Sequence, residues 1–187
     1  MPSRKITKQK IGAVARLLAP ILAFTCILTV VASHPSFSWT NNALSDLGII
    51  SGITGPLFNF GLYAGGFLAL IFAVFGLFTY LKESFIGRIG TLAFTAATIA
   101  LIAIGVFNES FSGIHYDVSV AFFVLVPISL FLITRAFLLD HRAMMTVFTV
   151  ASGVIAALPW IVLFAFRYVR GVAIPETVSG LLFQHGP

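Results

Sequence analysis

Long apolar runs without a charged side chain at their centre dominate the chain and constrain its fold more than any other feature. They cover residues 11–32, 57–81, 89–107, 118–137 and 144–166. A helix needs about 20 consecutive apolar residues to cross the hydrocarbon core of a bilayer, and each run has about that length. The sequence therefore predicts an all-α integral membrane protein, a helical bundle with five full spans.

Composition supports the same conclusion and excludes a soluble enzyme. Of the 187 residues, 59% are hydrophobic and 9% are charged, whereas soluble domains have roughly 45–50% apolar and about 25% charged residues. A water-soluble globule of this size cannot bury that much apolar surface. The loops between the runs are too short for a soluble catalytic domain, and they contain neither a Walker loop nor a Gly-x-Gly-x-x-Gly motif.

The basic residues predict the orientation of the bundle. The net charge is +5, and residues 1–10 form a segment that contains four of the basic residues. Lysine and arginine also occur at 82–88 and 135–142, whereas 33–56 and 108–117 have none. Because these residues concentrate in cytoplasmic loops, we expect a cytoplasmic N-terminus in a multi-pass protein of the cell membrane. A basic segment beside an apolar span is typical of contact with anionic headgroups rather than nucleic acid.

Residues 11–187 then form a single transmembrane domain whose C-terminal part departs from the regular pattern. The apolar stretch at 177–183 is too short to span a bilayer, so we expect a short half-span or a truncated sixth helix. Arg167 and Arg170 follow the fifth run and fall on the outer side, against the charge rule. Cations that break the rule are candidates for a specific partner.

The two loops that lack lysine and arginine bring unusual polar residues to the outer face. The predicted outer polar cluster comprises Asp46, Asn59, Glu109, His115, Arg167, Arg170 and Glu176. Buried polar groups in a membrane need partners, so one interpretation is a structural network that closes the bundle. The other is a ligand site, since arginine can grip a lipid phosphate and acidic residues with histidine can bind a metal ion. No dense metal-ligand spacing is present, so we assign no catalytic residue, metal or cofactor.

A helix-packing motif lies inside the second run. Gly61 and Gly65 have the spacing Gly-x-x-x-Gly, at which two helices approach closely because no side chain separates their backbones. The contact can be internal or can join two copies of the chain. No span carries Asp, Glu, Lys or Arg at its centre, which disfavours a proton relay or a transporter of charged substrates.

Two pairs of segments carry a resemblance to a known group of proteins. The sequence Asn-Ala-Leu-Ser-Asp-Leu-Gly at 42–48 precedes Phe-Asn-Phe-Gly-Leu at 58–62, and Gly-Val-Phe-Asn-Glu at 105–109 precedes His115. Their order resembles the prokaryotic membrane family known as domain of unknown function 998, and more distantly the Frag/DRAM/Sfk membrane proteins. The resemblance implies a compact bundle, usually of six spans, without an agreed activity. It also implies roles near lipid organisation or membrane-protein scaffolding.

Taken with the short loops, the resemblance favours a lipid- or membrane-protein-binding bundle, or an accessory subunit of a membrane complex, over an enzyme. The expected partners are membrane lipids and either a second membrane protein or another copy of the chain. The alternative is an intramembrane lipid-modifying or hydrolytic enzyme that uses Asp46, Glu109 and His115 at the outer face. A small transporter is the third hypothesis, although the spans offer no residues to line a polar path.

Overall fold

Apolar helices make up most of the structure, as the long apolar runs require. The computed structural model describes residues 2–39 and 41–170, and within them the side chains of 7–39, 41–158, 161 and 162. The α-helices are α1 (Pro2–Ser33), α2 (Thr54–Phe72), α3 (Phe78–Leu81), α4 (Phe85–Val106), α5 (Ser112–Leu139) and α6 (Ala143–Arg170). A π-helical segment, Ala73–Leu77, joins α2 to α3, and 3-10 turns lie at Leu44–Ile49 and Glu109–Phe111.

Four helical segments in the described part of the chain are long and apolar enough to cross a membrane. They are α1, α2 continued into α3, α4, and α5, while the part of α6 from Ala143 to Leu158 is a shorter apolar helix. These segments confirm the predicted helical membrane protein. The half-span or sixth helix expected after residue 170 lies outside the described residues, as does Glu176.

Each helix that contains an apolar run begins earlier than the run itself. The helices α1, α2, α4, α5 and α6 start at residues 2, 54, 85, 112 and 143, whereas the runs begin at residues 11, 57, 89, 118 and 144. Hydropathy marks only the stretch that prefers lipid, but a helix satisfies its own backbone hydrogen bonds and extends into the polar interface. The segment at 112–117 is therefore the first turns of a helix, and Asp117 is an exposed residue within it.

The helices pack mainly against their neighbours along the chain. The principal contacts join α1 to α2, α2 to α4, α4 to α5 and α5 to α6. Helices α1 and α6 therefore lie at the two edges, each with one principal neighbouring helix, and short loops make successive long helices antiparallel. The loops at 34–53 and 107–111 consequently share one end of the bundle, called here the carboxylate end because it carries Asp46 and Glu109.

The opposite end of the bundle carries the connections with lysine and arginine. Lys82 Nζ lies 3.0 Å from Glu83 Oε1, and Arg142 Nε lies 3.0 Å from Asp140 Oδ2. All four side chains are more than half exposed. Exposed pairs of this kind contribute little to stability, so the apolar and small residues inside the bundle must supply most of it.

Small residues line the contact between α1 and α2. A Cβ added at Gly61 would lie 2.6 Å from Cys26 Cβ, and one added at Gly65 would lie 2.9 Å from Ala23 Cβ. Gly66 faces α4 instead, where an added Cβ would lie 3.0 Å from the backbone nitrogen of Ile102. The Gly-x-x-x-Gly spacing thus lies within an internal helix contact, and the adjacent glycine lies against a third helix.

Candidate functional site

The loop between α1 and α2 is anchored to the bundle by apolar burial. Leu47, in the 3-10 turn Leu44–Ile49, has no exposed surface and packs with Val30 of α1 and Phe58 of α2. Burial of a leucine side chain contributes about 1.5–3 kcal/mol relative to exposure. The turn is therefore held against the ends of two helices, which fixes the positions of Ser45 and Asp46 beside it.

Hydrogen bonds to one main-chain carbonyl tie the same loop to two further elements. The Gly48 carbonyl accepts a bond of 2.8 Å from Asn59 Nδ2 and one of 3.4 Å from Asn108 Nδ2. Asn59 belongs to α2 and Asn108 follows α4, so this carbonyl joins three segments. A side chain at position 48 would place its Cβ 2.6 Å from Asn59 Oδ1, which explains why glycine suits this position.

A side-chain contact joins the two loops of the carboxylate end directly. Ser45 Oγ donates a hydrogen bond of 2.9 Å to Glu109 Oε1 across 64 positions of sequence. The neighbouring Asp46 Oδ2 accepts from the backbone nitrogen of Ala43 at 3.0 Å and, at 3.5 Å, from Asn42 Nδ2. Ser45, Asp46 and Glu109 are called here the interloop clasp.

The interloop clasp perturbs the titration of Glu109. Burial raises the pKa of the Glu109 carboxyl above its usual 4.5, and the charge and hydrogen bonding of Asp46 raise it further, against the opposing effect of the bond from Ser45. Glu109 is the first residue of the apolar helical segment Glu109–Leu139, which has 31 residues and a length of about 46 Å. That length exceeds the ~30 Å hydrocarbon core by ~8 Å at each end when the segment is centred, so the Glu109 carboxyl at its very end lies in the polar interface.

His115 takes a different partner from the two carboxylates. Its Nδ1 donates a hydrogen bond of 2.7 Å to the Phe107 carbonyl, because a carbonyl can only accept. The side chain is buried in α5 and, in the described part of the chain, shares no hydrogen-bond partner with Asp46 or Glu109. His115 therefore secures the end of α4 to the start of α5.

The structure brings together part of the predicted outer polar cluster. Asp46 and Glu109 meet in the interloop clasp, and Asn59 contributes the neighbouring bond to Gly48. Arg167 and Arg170 lie in the last turns of α6, but their side chains lie outside the described residues, so the predicted cation beside the carboxylates stays a prediction. Among the described residues, no three His, Cys, Asp or Glu side chains are grouped to hold a metal ion.

Sequence reasoning missed two residues of this site. Ser45 belongs to the segment at 42–48 but not to the predicted outer polar cluster, yet its hydroxyl makes the bond that links the two loops. Asn108 both donates to Gly48 and accepts from the backbone nitrogen of Ser110 at 3.1 Å, which caps the 3-10 turn that carries Glu109. The capping pattern Asn-x-Ser was a usable signal for Asn108, whereas a lone serine next to an aspartate has no distinguishing pattern.

A groove between three long apolar helices forms a second candidate site, which the sequence did not indicate. It has a volume of about 460 Å³ and is lined by side chains of α1, α2 and α4, namely Leu22, Tyr63, Ala64, Phe67, Leu68 and Ile102. Tyr63 and Phe67 are exposed at its margin, so it opens sideways from the bundle. It is called here the lateral groove.

Replacing Glu109 with Gln is expected to raise thermal stability at neutral pH. Because the folded-state pKa is raised, the protonated carboxyl stabilises the fold fully below pH ~4.5, and that contribution is lost as pH rises through the folded pKa. Glutamine is neutral at every pH, still accepts from Ser45 and can donate to Asp46. We expect the melting temperature in detergent to rise by about 2 °C at pH 7 and by less at pH 4, a small effect because Glu109 is only half-buried.

The matched control for this substitution is Glu83→Gln, whose carboxylate is exposed at the opposite end. It should leave the melting temperature and its pH dependence close to those of the parent protein. A Glu109→Gln variant that melts lower than the parent at pH 7 but not at pH 4 would show that the charged form stabilises the interloop clasp.

Comparison with protein families adds one match. A family model described as Protein of unknown function (DUF998) matches residues 17–184. The matched range contains both loops of the carboxylate end and every residue of the lateral groove. No curated protein and no solved structure matches the chain.

Proposed function

The chain belongs to the DUF998 family of proteins of unknown function, and from that premise we propose that it is a lipid-binding membrane bundle whose lateral groove holds one acyl chain. The family assignment confirms the identification made from the sequence, while the more distant resemblance to the Frag/DRAM/Sfk proteins stays a prediction. The lateral groove is the observation that carries the proposal.

The position and lining of the groove support an acyl chain as its occupant. Leu22, Phe67 and Ile102 belong to three helices that are each long and apolar enough to cross a membrane. A sideways opening at that depth faces lipid tails rather than water. Its volume of about 460 Å³ falls within the roughly 300–1,000 Å³ of ordinary ligand sites. An acyl chain fills such a groove without leaving a polar group unsatisfied.

The proposal includes α6 as the fifth span of a multi-pass protein of the cell membrane with a cytoplasmic N-terminus. Its 28 residues have a length of about 42 Å as an α-helix, which is enough to cross. The orientation is supported by lysine and arginine in the N-terminal segment and in the connections at 82–84 and 140–142. The exposed apolar faces of the edge helices α1 and α6 also leave room for a membrane-protein partner or a second copy of the chain.

Filling the lateral groove is expected to reduce lipid binding strongly. In Ala64→Trp the indole occupies the space that the acyl chain needs, so we expect the lipid-bound fraction to fall about tenfold, equivalent to ~1.4 kcal/mol. Native mass spectrometry of the detergent-purified protein after addition of a phosphatidylethanolamine measures that fraction. The same purification gives the melting temperature, which reports whether the variant is folded.

The matched control is Ala96→Trp, which places the same side chain on an exposed position of α4 away from the groove. We expect it to retain lipid like the parent protein. If a folded Ala64→Trp variant binds as much lipid as Ala96→Trp, the groove is not a lipid site, and the accessory-subunit and enzymatic alternatives gain support.

A further inference from the structure

The lining of the lateral groove is almost wholly apolar, and one lining residue carries a hydroxyl group that contributes almost nothing to that lining. Of its six lining residues, only Tyr63 carries a polar side-chain atom. The ring of Tyr63 packs edge-on against Phe60 at a centroid distance of 5.3 Å, and 40% of the residue is exposed. Within the described part of the chain the phenolic hydroxyl has no hydrogen-bond partner.

The depth of Tyr63 can be placed from the length of its helix. The helical stretch from Thr54 to Leu81 has 28 residues, or about 42 Å, which exceeds the ~30 Å hydrocarbon core by ~6 Å at each end when centred. Tyr63 lies nine positions after Thr54, about 13 Å along the axis. Its Cα therefore lies about 7 Å inside the core, on the side of the carboxylate end.

The direction of the side chain brings the hydroxyl closer to the headgroups than the Cα. Side chains on a helix lean toward its N-terminus, and the N-terminus of α2 lies at the carboxylate end. A tyrosine has an apolar ring and a polar tip, and its tip extends toward the interface when the ring lies in lipid. The Tyr63 hydroxyl thus approaches the level at which acyl chains join the glycerol backbone.

A phenolic hydroxyl at this level needs an acceptor. Leaving it unpaired in an apolar environment is costly, and tyrosine in such positions usually finds a partner. The carbonyl of an ester-linked acyl chain is an acceptor at that level, whereas an alkyl ether lacks the carbonyl. We propose that the lateral groove is selective for an ester-linked glycerolipid, with the Tyr63 hydroxyl donating a hydrogen bond to the ester carbonyl and the chain extending past Ala64 and Phe67 toward the bilayer centre.

This inference rests on the lateral groove binding an acyl chain, and a pair of matched lipids separates the two claims. The probes are a diacyl phosphatidylethanolamine and the dialkyl ether lipid with the same headgroup and chain length. Competition between them for the detergent-purified full chain is read by native mass spectrometry. Because one hydrogen bond contributes about 0.5–1.5 kcal/mol, we expect the parent protein to prefer the ester by ~2- to 12-fold.

Tyr63→Phe removes only the hydroxyl, so we expect it to bind both lipids with the affinity that the parent has for the ether. The matched control is Tyr80→Phe, because Tyr80 lies near the opposite end of the same helical stretch and packs against Phe137. It should keep the preference of the parent. The melting temperature of each variant shows that it is folded.

The possible results separate a failure of ester selectivity from a failure of the lateral groove as a lipid site. Equal binding of ester and ether by the parent protein overturns the proposal even if Tyr63→Phe fails to fold, since that comparison needs no variant. A preference that survives in folded Tyr63→Phe also overturns it. If ester and ether bind alike but Ala64→Trp still removes both, the lateral groove remains a lipid site without ester selectivity. If Ala64→Trp removes neither, the proposed function itself fails.

Discussion

Leucine at both Gly61 and Gly65 is expected to destabilise the bundle by more than about 3 kcal/mol and to prevent its purification as a folded protein. A Cβ alone at these positions would lie 2.6 Å from Cys26 Cβ and 2.9 Å from Ala23 Cβ. A longer side chain must therefore separate α1 from α2. Helix association in lipid depends on close packing rather than on a hydrophobic driving force, so separation removes the contact that holds α1 at the edge of the bundle.

Thermal melting in detergent and titration with a denaturing detergent both measure this loss. Gly113→Leu is the matched control, because a Cβ at Gly113 of α5 meets no atom within 4 Å. That variant should melt within a few degrees of the parent. A Gly61→Leu, Gly65→Leu protein that melts like Gly113→Leu would contradict the α1–α2 contact described above.

Truncating Leu47 to alanine is expected to cost about 2–5 kcal/mol, the range for a large buried side chain in a packed core. Leu47 has no exposed surface and lies between Val30 and Phe58. Its loss leaves a cavity beneath the 3-10 turn that carries Ser45, so the interloop clasp should loosen as well. The pH dependence that Glu109 gives to thermal melting should then weaken together with overall stability.

Ile49→Ala in the same turn provides the comparison, since Ile49 is 54% exposed. Both substitutions remove branched aliphatic groups from one 3-10 turn, but only the one at Leu47 empties a buried site. We expect the melting temperature of Ile49→Ala to stay near that of the parent. Equal losses in the two variants would mean that the turn is not anchored through Leu47.

The apolar runs predicted the helices well because lipid demands long uncharged stretches. They did not predict the π-helical segment Ala73–Leu77. There the backbones of α1 and the segment meet, so that a Cβ at Gly12 would lie 2.7 Å from the backbone nitrogen of Gly76. A single glycine on each of two distant segments has no periodic pattern, so the sequence offered no signal for this close approach.

The candidate sites were predictable to different degrees. The sequence predicted that Asp46 and Glu109 lie on one face, because the two loops that carry them lack lysine and arginine and so belong on the same side of the membrane. The partner of His115 is a main-chain carbonyl, which every residue possesses, so no pattern could indicate it. The lateral groove depends on the small side chain of Ala64 among residues from three helices. Its position is set by how those helices cross, which the sequence does not encode locally.

The row of helices in which each packs on its neighbour along the chain also bears on how the protein assembles. Because α1 contacts α2, α2 contacts α4 and so on to α6, each newly inserted helix finds its partner already in the bilayer. Contacts between sequence neighbours require only short loops to close, and chains rich in such contacts fold quickly. The interloop clasp, which joins positions 64 residues apart, can form only after these helix pairs and would be a late step in biogenesis.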